Sequence, residues 1–374
     1  MSTVVAPRTA AGQPDRTFWV MLSTFIGLLS FGFVMVLSSS SIVALNRGES
    51  PWTMFLKQLL WAAIGGVVGA FFYRMPYANW RRYVSVNLFG AWAAMLLPFI
   101  PGIGLTINGA NAWVSVGPVG FQPSEYLKLA VLLYSANLLG RRHAEITDVR
   151  RTFAPPMLVL GVSVLLCLAQ NDLGAAIIIA TIVLIVMFMA GTPLRLVVAT
   201  ACAGVLGAAL VALTGAARRA RFTAFLNLEE TKGHYGYQVW QSILSISNGG
   251  ISGVGVGEGT GKWGYVPLAH SDFIFSTIAE EFGVIGVVVV LGSFLLLAIL
   301  GLQVALHARE RFGALLGGGI AMWFCVQAIV NIGGVTGAMP VTGLTLPLIS
   351  YGGSSLAVCM AAAGLMLNVA RNMR

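Results

Sequence analysis

Ionic chemistry has few candidates in this chain, with 13 carboxylates and 22 Lys+Arg in 374 residues, and they are unevenly spread. The densest group runs from Pro267 through Leu268, Ala269, His270, Ser271 and Asp272 to Phe273, Ile274 and Phe275, with Glu280 and Glu281 just beyond. A carboxylate beside a histidine at the mouth of an apolar helix can take a proton from a substrate hydroxyl, or it can cap the helix. Along a helix, Glu280 would lie roughly 12 Å deeper and within about 80° of the Asp272 face, with Glu281 nearly opposite. Adjacent acids inside an apolar helix need a cavity or a partner. A second group is Gln122-Pro123-Ser124-Glu125, with Lys128 one turn on. Pro123 suits a first helical turn and Glu125 the positive end of its dipole. Glu125 and Lys128 share a face. Either they neutralise each other and help cap the helix, or Lys128 lines a polar cavity and meets an anionic ligand. Arg218, Arg219 and Arg221 could hold lipid phosphates or the headgroup region in general. Asp172, after Asn171, reads most simply as a turn residue. Gly259 to Gly264 spells G-x-G-x-x-G, but no strand precedes it, so it is not a nucleotide fingerprint, and the Walker A pattern fails as well.

The elements that position these residues follow from composition. Charged residues make up 9% of the chain and hydrophobic ones 57%, whereas soluble domains carry roughly 25% charge. That excludes a soluble fold, a disordered chain and a disulfide scaffold. The expected class is an all-α polytopic membrane protein. Ten apolar runs are long enough to span: about 18–38, 55–73, 85–100, 123–139, 154–170, 173–190, 194–213, 272–301, 313–333 and 349–370. The first is too long, and lacks the small-residue site, to be a cleaved signal peptide. With the N-terminus in the cytoplasm, inside segments hold fourteen of the 22 basic residues: Arg8, Arg16, Arg74, Arg81, Arg82, Arg141, Arg142, Arg150, Arg151, Arg195, Arg309, Arg311, Arg371 and Arg374. The net charge of +9 thus reads as topological anchoring rather than nucleic-acid binding. Residues 1–17 form a cytoplasmic tail expected to be disordered, 18–370 a single membrane domain, and 371–374 a cytoplasmic end. A long loop, about 214–271, faces outward, and its glycines from Gly249 to Gly264 are expected to let it fold back onto the bundle. Pro340 to Ser355 combines small, polar and proline residues at membrane depth, which marks irregular backbone buried in protein or lining water. Cys167, Cys202, Cys325 and Cys359 read as small core residues.

Together these segments resemble the SEDS family (shape, elongation, division and sporulation), which includes FtsW, RodA and SpoVE. The resemblance covers nearly the whole chain. It is carried by Val36-Leu37-Ser38-Ser39-Ser40, by Gln122 to Glu125 with Lys128, by His270 to Phe275 with Glu280 and Glu281, and by Pro340 to Ser355. Gly343 to Pro347 leans toward the FtsW/SpoVE side. The resemblance implies a peptidoglycan glycosyltransferase of the bacterial cytoplasmic membrane, with its active face outside. Its substrate would be lipid II, a disaccharide-pentapeptide on undecaprenyl pyrophosphate. C1 of the donor MurNAc would join the 4-hydroxyl of the acceptor GlcNAc with inversion, with Asp272 as general base. Lys128, Glu125, Arg218, Arg219, Arg221, His270, Glu280, Ser350 and Tyr351 are the implied substrate-binding residues. A divalent cation, Mg or Mn, is the candidate cofactor. The implied partners are a class B penicillin-binding protein, the transpeptidase, and other division or elongation proteins. Three positions depart from the family pattern: Ala112 stands where an Arg is usual, Leu268 where a Glu is, and Asn171 where a Pro is. A lipid II flippase and a non-catalytic scaffold are the competing classes. Charge gathered at the outer face, rather than at the midplane as in transporters, favours the enzyme.

Overall fold

The computed structural model describes residues 15–107, 109–116 and 119–373. Most of the expected tail 1–17, including Arg8, lies outside the described residues, as do Asn108 and Arg374. The chain forms thirteen α-helices among the described residues: α1 Arg16–Asn46, α2 Thr53–Arg74, α3 Val84–Leu96, α4 Pro123–Arg141, α5 Ala154–Ala169, α6 Leu173–Ala190, α7 Leu194–Leu213, α8 Ala216–Leu226, α9 Leu228–Thr231, α10 Tyr237–Gly249, α11 Ile274–His307, α12 Arg311–Val335 and α13 Gly353–Arg371. Eight of them are long and apolar enough to cross a membrane: α1, α2, α5 with the turn before it, α6, α7, α11, α12 and α13. The other two expected spans are also helices. α3 is short and continues through a tight turn, Leu97–Phe99, and α4 is more polar but largely buried. The protein is a multi-pass helical membrane protein.

α12 lies at the centre, with α4, α6, α11, α13 and the short α10 packed on it. Close packing in a membrane relies on small residues. On α2, a Cβ at Gly69 would sit 2.7 Å from the Met360 carbonyl oxygen, and a Cβ at Gly364 on α13 would collide with the Gly69 carbonyl. α7 is the outlier: Val197 is its one buried residue, and Val205, Leu206 and Leu210 are exposed. Cys202 on α7 is exposed, which corrects its reading as a core residue. Its helix touches the bundle along one edge, so most of its faces meet lipid.

Three departures from the expected elements are physical. First, the segment after α3 is a small antiparallel sheet, β1 Gly104–Ile107, β2 Ala110–Val116 and β3 Val119–Phe121, in register Gly104↔Val114 and Val114↔Phe121. Alternation on β2 turns Ala112 and Val114 inward. A residue longer than alanine at position 112 would therefore point into the protein. Second, α1 runs on to Asn46 and α13 starts only at Gly353. Third, α11 is broken at Gly283, whose φ is 63°, a conformation glycine adopts freely. The loop threads this break. Val254 N–H donates to Glu280 O at 3.0 Å, Gly255 N–H to Glu281 O at 3.1 Å, and Val284 N–H to Gly250 O at 3.0 Å. Backbone groups freed by the break are thus re-paired inside the protein. A Cβ at Gly249 would strike Ala279 O. The expected folding back of the glycine-rich loop is what the structure contains.

Candidate active site

The site is built on the turn that leads into α11. Leu268, at φ 56°, accepts from Ser271 N–H at 3.0 Å and Phe273 N–H at 3.3 Å. This tight turn delivers Asp272 just before the helix. Two side chains one turn apart on α12 fix its surroundings. Asn331 Nδ2 donates to Asp272 O at 2.7 Å and to Leu344 O at 2.6 Å. Gln327 Nε2 donates to Thr345 O at 2.9 Å. The irregular segment 336–352 is held from the other side too. Ser350 Oγ donates to Ser271 O at 2.7 Å and accepts from Leu346 N–H at 2.8 Å, and Tyr351 N–H donates to His270 O at 3.0 Å. Ser350 and Tyr351 thereby act on the turn that carries His270 and Asp272.

Asp272 does not serve as the helix cap. Phe273 occupies that position and no side chain caps α11. The half-buried carboxylate lies instead on a cleft walled by Asn331, Gly334 and the segment Val341 to Leu344. The cleft holds about 10 Å³, room for about one water. Burial pushes the Asp272 carboxyl up to about 6, opposed by the Arg221 guanidinium and the Ser271 hydroxyl. Burial, helped by Arg47, pushes the His270 ring down to about 4. His270 is therefore neutral near pH 7, with its ring set edge-on to that of Tyr351 at a centroid distance of 5.7 Å and a buried Nδ1 that has no hydrogen-bond partner among the described residues.

The remaining site residues divide between this cleft and its supports. Lys128 is fully buried. Its Nζ lies 2.9 and 2.8 Å from the Glu125 oxygens and 3.0 Å from Gln327 Oε1, over the Trp323 ring at 5.4 Å. Lys128 is not among the walls of the Asp272 cleft. The two sites join through Gln327 and Thr345. Of the three arginines on α8, Arg218 hydrogen-bonds Asn171 Oδ1 and Thr214 Oγ1, Arg219 is exposed, and exposed Arg221 is the one whose charge reaches Asp272. Asp172 has the expected turn role. It caps α6 through Ala175 N–H at 2.9 Å and ties in Gln122 and Ser124, each at 2.9 Å.

The paired glutamates clasp the loop. Glu280 Oε1 accepts from Asn248 Nδ2 at 3.1 Å, Thr260 N–H at 3.0 Å and Thr260 Oγ1 at 2.9 Å, and Gly261 N–H donates to Oε2 at 3.1 Å. Glu281 Oε1 lies 2.7 Å from Lys262 Nζ, and Ser38 Oγ donates to it at 2.6 Å. Lys262, Ser38, Gln327 and Asn331 are not among the site residues that the sequence singled out. Two signals pointed to them: the lone cation in the glycine run, which answers the acid facing away from Asp272, and the i,i+4 pair of amides in apolar α12. Among the described residues no three His, Cys, Asp or Glu side chains converge, so the chain alone builds no all-protein cage for a divalent cation.

Comparison with known proteins decides the family. The FtsW/RodA/SpoVE model, described as a cell cycle protein, matches residues 18–374. The chain belongs to this family. Among curated relatives of this SEDS protein, a probable peptidoglycan glycosyltransferase FtsW of Geobacter sulfurreducens is 39% identical, over 96% of both chains. The stage V sporulation protein E of Bacillus subtilis is 35% identical, over 93% of this chain and 95% of the other. Among solved structures, a chain from a peptidoglycan synthase complex, studied for the coordination of polymerization and crosslinking, superposes with a TM-score of 0.78 at 30% identity, covering 96% of this chain and 98% of that one. The Thermus thermophilus rod shape determining protein RodA superposes at 0.70 with 29% identity, covering 98% and 99%. The SEDS fold expected from the motifs is the fold observed.

Proposed function

We propose that this SEDS protein is an FtsW-like peptidoglycan polymerase of the cytoplasmic membrane. It transfers the growing glycan from an undecaprenyl-pyrophosphate donor to lipid II. The observation that carries the reading is Asp272, a carboxylate that caps no helix and whose burial raises its pKa to about 6, poised for general-base work near neutral pH. In the reaction the 4-hydroxyl of the acceptor GlcNAc gives its proton to Asp272 as its oxygen attacks C1 of the donor MurNAc. The bond from C1 to the pyrophosphate breaks on the opposite face, so the anomeric centre inverts. Arg221 is the cation nearest in effect to Asp272 and supplies charge toward the leaving pyrophosphate. Arg218, Arg219, His270 and the cleft walls complete the binding surface. Lys128, Glu125 and Glu280 position it from behind. Because the cleft admits about one water, segment 341–344 moves aside when substrate enters.

Several arginines gather at the end of the bundle away from Asp272, where Arg81 pairs with Glu310 at 3.1 Å and Arg371 reaches Tyr73 Oη at 3.3 Å. The positive-inside rule puts that end and both termini in the cytoplasm and Asp272 outside. The likeness to a chain of a peptidoglycan synthase complex supports a class B penicillin-binding protein as partner. The test is polymerisation of lipid II by the purified protein with its class B partner, read as glycan ladders on a gel. Asp272→Asn, correctly inserted, should make no polymer. Polymer from that variant would remove Asp272 from the chemistry, and lipid II translocation without polymer by the wild type would make the protein a flippase.

A further inference from the structure

At the end of the molecule opposite Asp272, a groove of about 330 Å³ runs between α6 and α11. Both helices pack on α12, whose first turns form its floor. The walls are apolar: Leu139 from α4, Met189 and Ala190 from α6, Ala305 from α11, and Ala314 and Leu315 from α12. The helices flanking it present Phe188 and Leu306 outward, so the groove lies beside the lipid-facing surface. Its mouth has the opposite character. His143, Arg309 and Arg311 stand there.

Among the described residues no carboxylate neutralises the charge at this mouth. Glu310 lies between the two arginines in sequence, but it turns away to Arg81 at 3.1 Å. Among the described residues neither Arg309 nor Arg311 has an ion-pair partner. Arg311 Nη1 lies 3.0 Å from His143 Nδ1. A guanidinium can only donate, so His143 Nδ1 accepts and the hydrogen bond holds the Arg311 side chain in place. The start of α12 carries no side-chain cap, so its dipole adds positive potential at the same place. An apolar trench beside the lipid-facing surface, with two guanidiniums at its headgroup end that no carboxylate of the described residues pairs, matches one class of molecule.

We infer that this groove is a binding site for an anionic phospholipid, with the phosphodiester on Arg309 and Arg311 and one acyl chain between α6 and α11 over Ala314. The site lies away from the Asp272 cleft and does not depend on the function proposed for it. The lipid would fill the gap left between α6 and α11, and so stabilise the arrangement of both around α12.

Native mass spectrometry of the full chain in detergent, titrated with phosphatidylglycerol or phosphatidylcholine, tests this. The wild type should retain phosphatidylglycerol in preference to phosphatidylcholine. A basic residue near a headgroup is worth roughly a fivefold change in binding, so Arg309→Ala with Arg311→Ala should lower phosphatidylglycerol retention by about 25-fold. Arg309→Lys with Arg311→Lys should keep most of it. Ala314→Phe leaves both arginines and fills the trench, and it should displace the lipid as well. Glycerophosphoglycerol, which has the headgroup and no chains, and inorganic phosphate should compete weakly. Equal retention of the two lipids, or unchanged retention in the double alanine variant, overturns the proposal. So does full competition by inorganic phosphate, which would make the mouth a free-anion site, or lipid binding that survives Ala314→Phe.

Discussion

One part of the clasp between the outer loop and α11 can be tested in isolation, a single buried ion pair. Lys262 and Glu281 are almost completely shielded from solvent, 2.7 Å apart, and Ser38 Oγ from α1 bridges them, 2.9 Å from Lys262 Nζ and 2.6 Å from Glu281 Oε1. At an effective dielectric of about 20, charges at that distance attract by about 6 kcal/mol, most of it offset by the cost of burying both. Removing one partner keeps the burial cost of the other. Lys262→Met should therefore destabilise the fold by about 3–5 kcal/mol, with Glu281→Leu similar, whereas the double variant should recover most of the loss. The assay is unfolding in mixed micelles followed by tryptophan fluorescence and analysed as a double-mutant cycle. A coupling of roughly 2–4 kcal/mol is expected. Protease cleavage within the glycine-rich run should rise in each single variant and fall back in the double. A Lys262→Met loss under about 1 kcal/mol, or strictly additive single effects, would refute the reasoning, since either would mean that water reaches the pair.

Other outcomes follow from the same geometry. Polymerisation should rise with pH through about 6 and level off above it, because the base form of Asp272 is the ionised one and its pKa is raised to about 6. His270, lowered to about 4, adds no second limb near neutrality, and Arg221→Ala should move the midpoint upward; a rate flat from pH 5 to 8 with chemistry limiting would contradict this. Asp172→Ala removes a helix cap and the acceptor for Gln122 and Ser124, and should cost about 1–2 kcal/mol in the same unfolding assay. Gly249→Ala should cost about 1–3 kcal/mol, because its methyl group would meet the Ala279 carbonyl; no measurable loss would mean that the loop is not seated in the α11 break.

How much of this was legible depended on whether the signal was local. Each of the ten runs that hydropathy picked out is a helix, and eight of them are long and apolar enough to cross a membrane, since a bilayer imposes length and composition on each helix separately. Asp272 was legible because charge is scarce here, and a carboxylate at a helix mouth stands out against 57% hydrophobic residues. The break at Gly283 was not legible. Nothing distinguishes that glycine from Gly286 or Gly292 until the loop's N–H and C=O groups are seen filling the gap. The sheet after α3 was missed because its strands are short and its pairing is decided by tertiary packing of Ala112 and Val114. The role of Glu280 was half legible. Its need for partners was plain, but helical geometry carried it toward Asp272, while the backbone of Thr260 and Gly261 comes to meet it.

Lys128 is where position and role separate most clearly. Spacing allowed a neutralising pair with Glu125 or a contact with an anionic ligand. The pair exists, and Nζ is already committed to Glu125, Gln327 and the Trp323 face. For Lys128 to reach a pyrophosphate, that set would have to be dismantled in a buried site. Acting from behind asks for less. Gln327, held by Lys128 and by Trp323 Nε1 at 2.9 Å, presents its amide to Thr345 and so fixes the segment that walls Asp272. The two roles give different measurements. Lys128→Met should destabilise by about 3–5 kcal/mol because Glu125 is left buried and unpaired, and Lys128→Met with Glu125→Leu should regain most of that. In the double variant a positioning role predicts lipid II affinity within about twofold of wild type, with turnover reduced. Direct contact predicts the loss of a charge-assisted hydrogen bond, about 1.5–3 kcal/mol, which is roughly 10- to 150-fold in affinity. A stably folded double variant that binds lipid II at least tenfold more weakly would place Lys128 on the substrate.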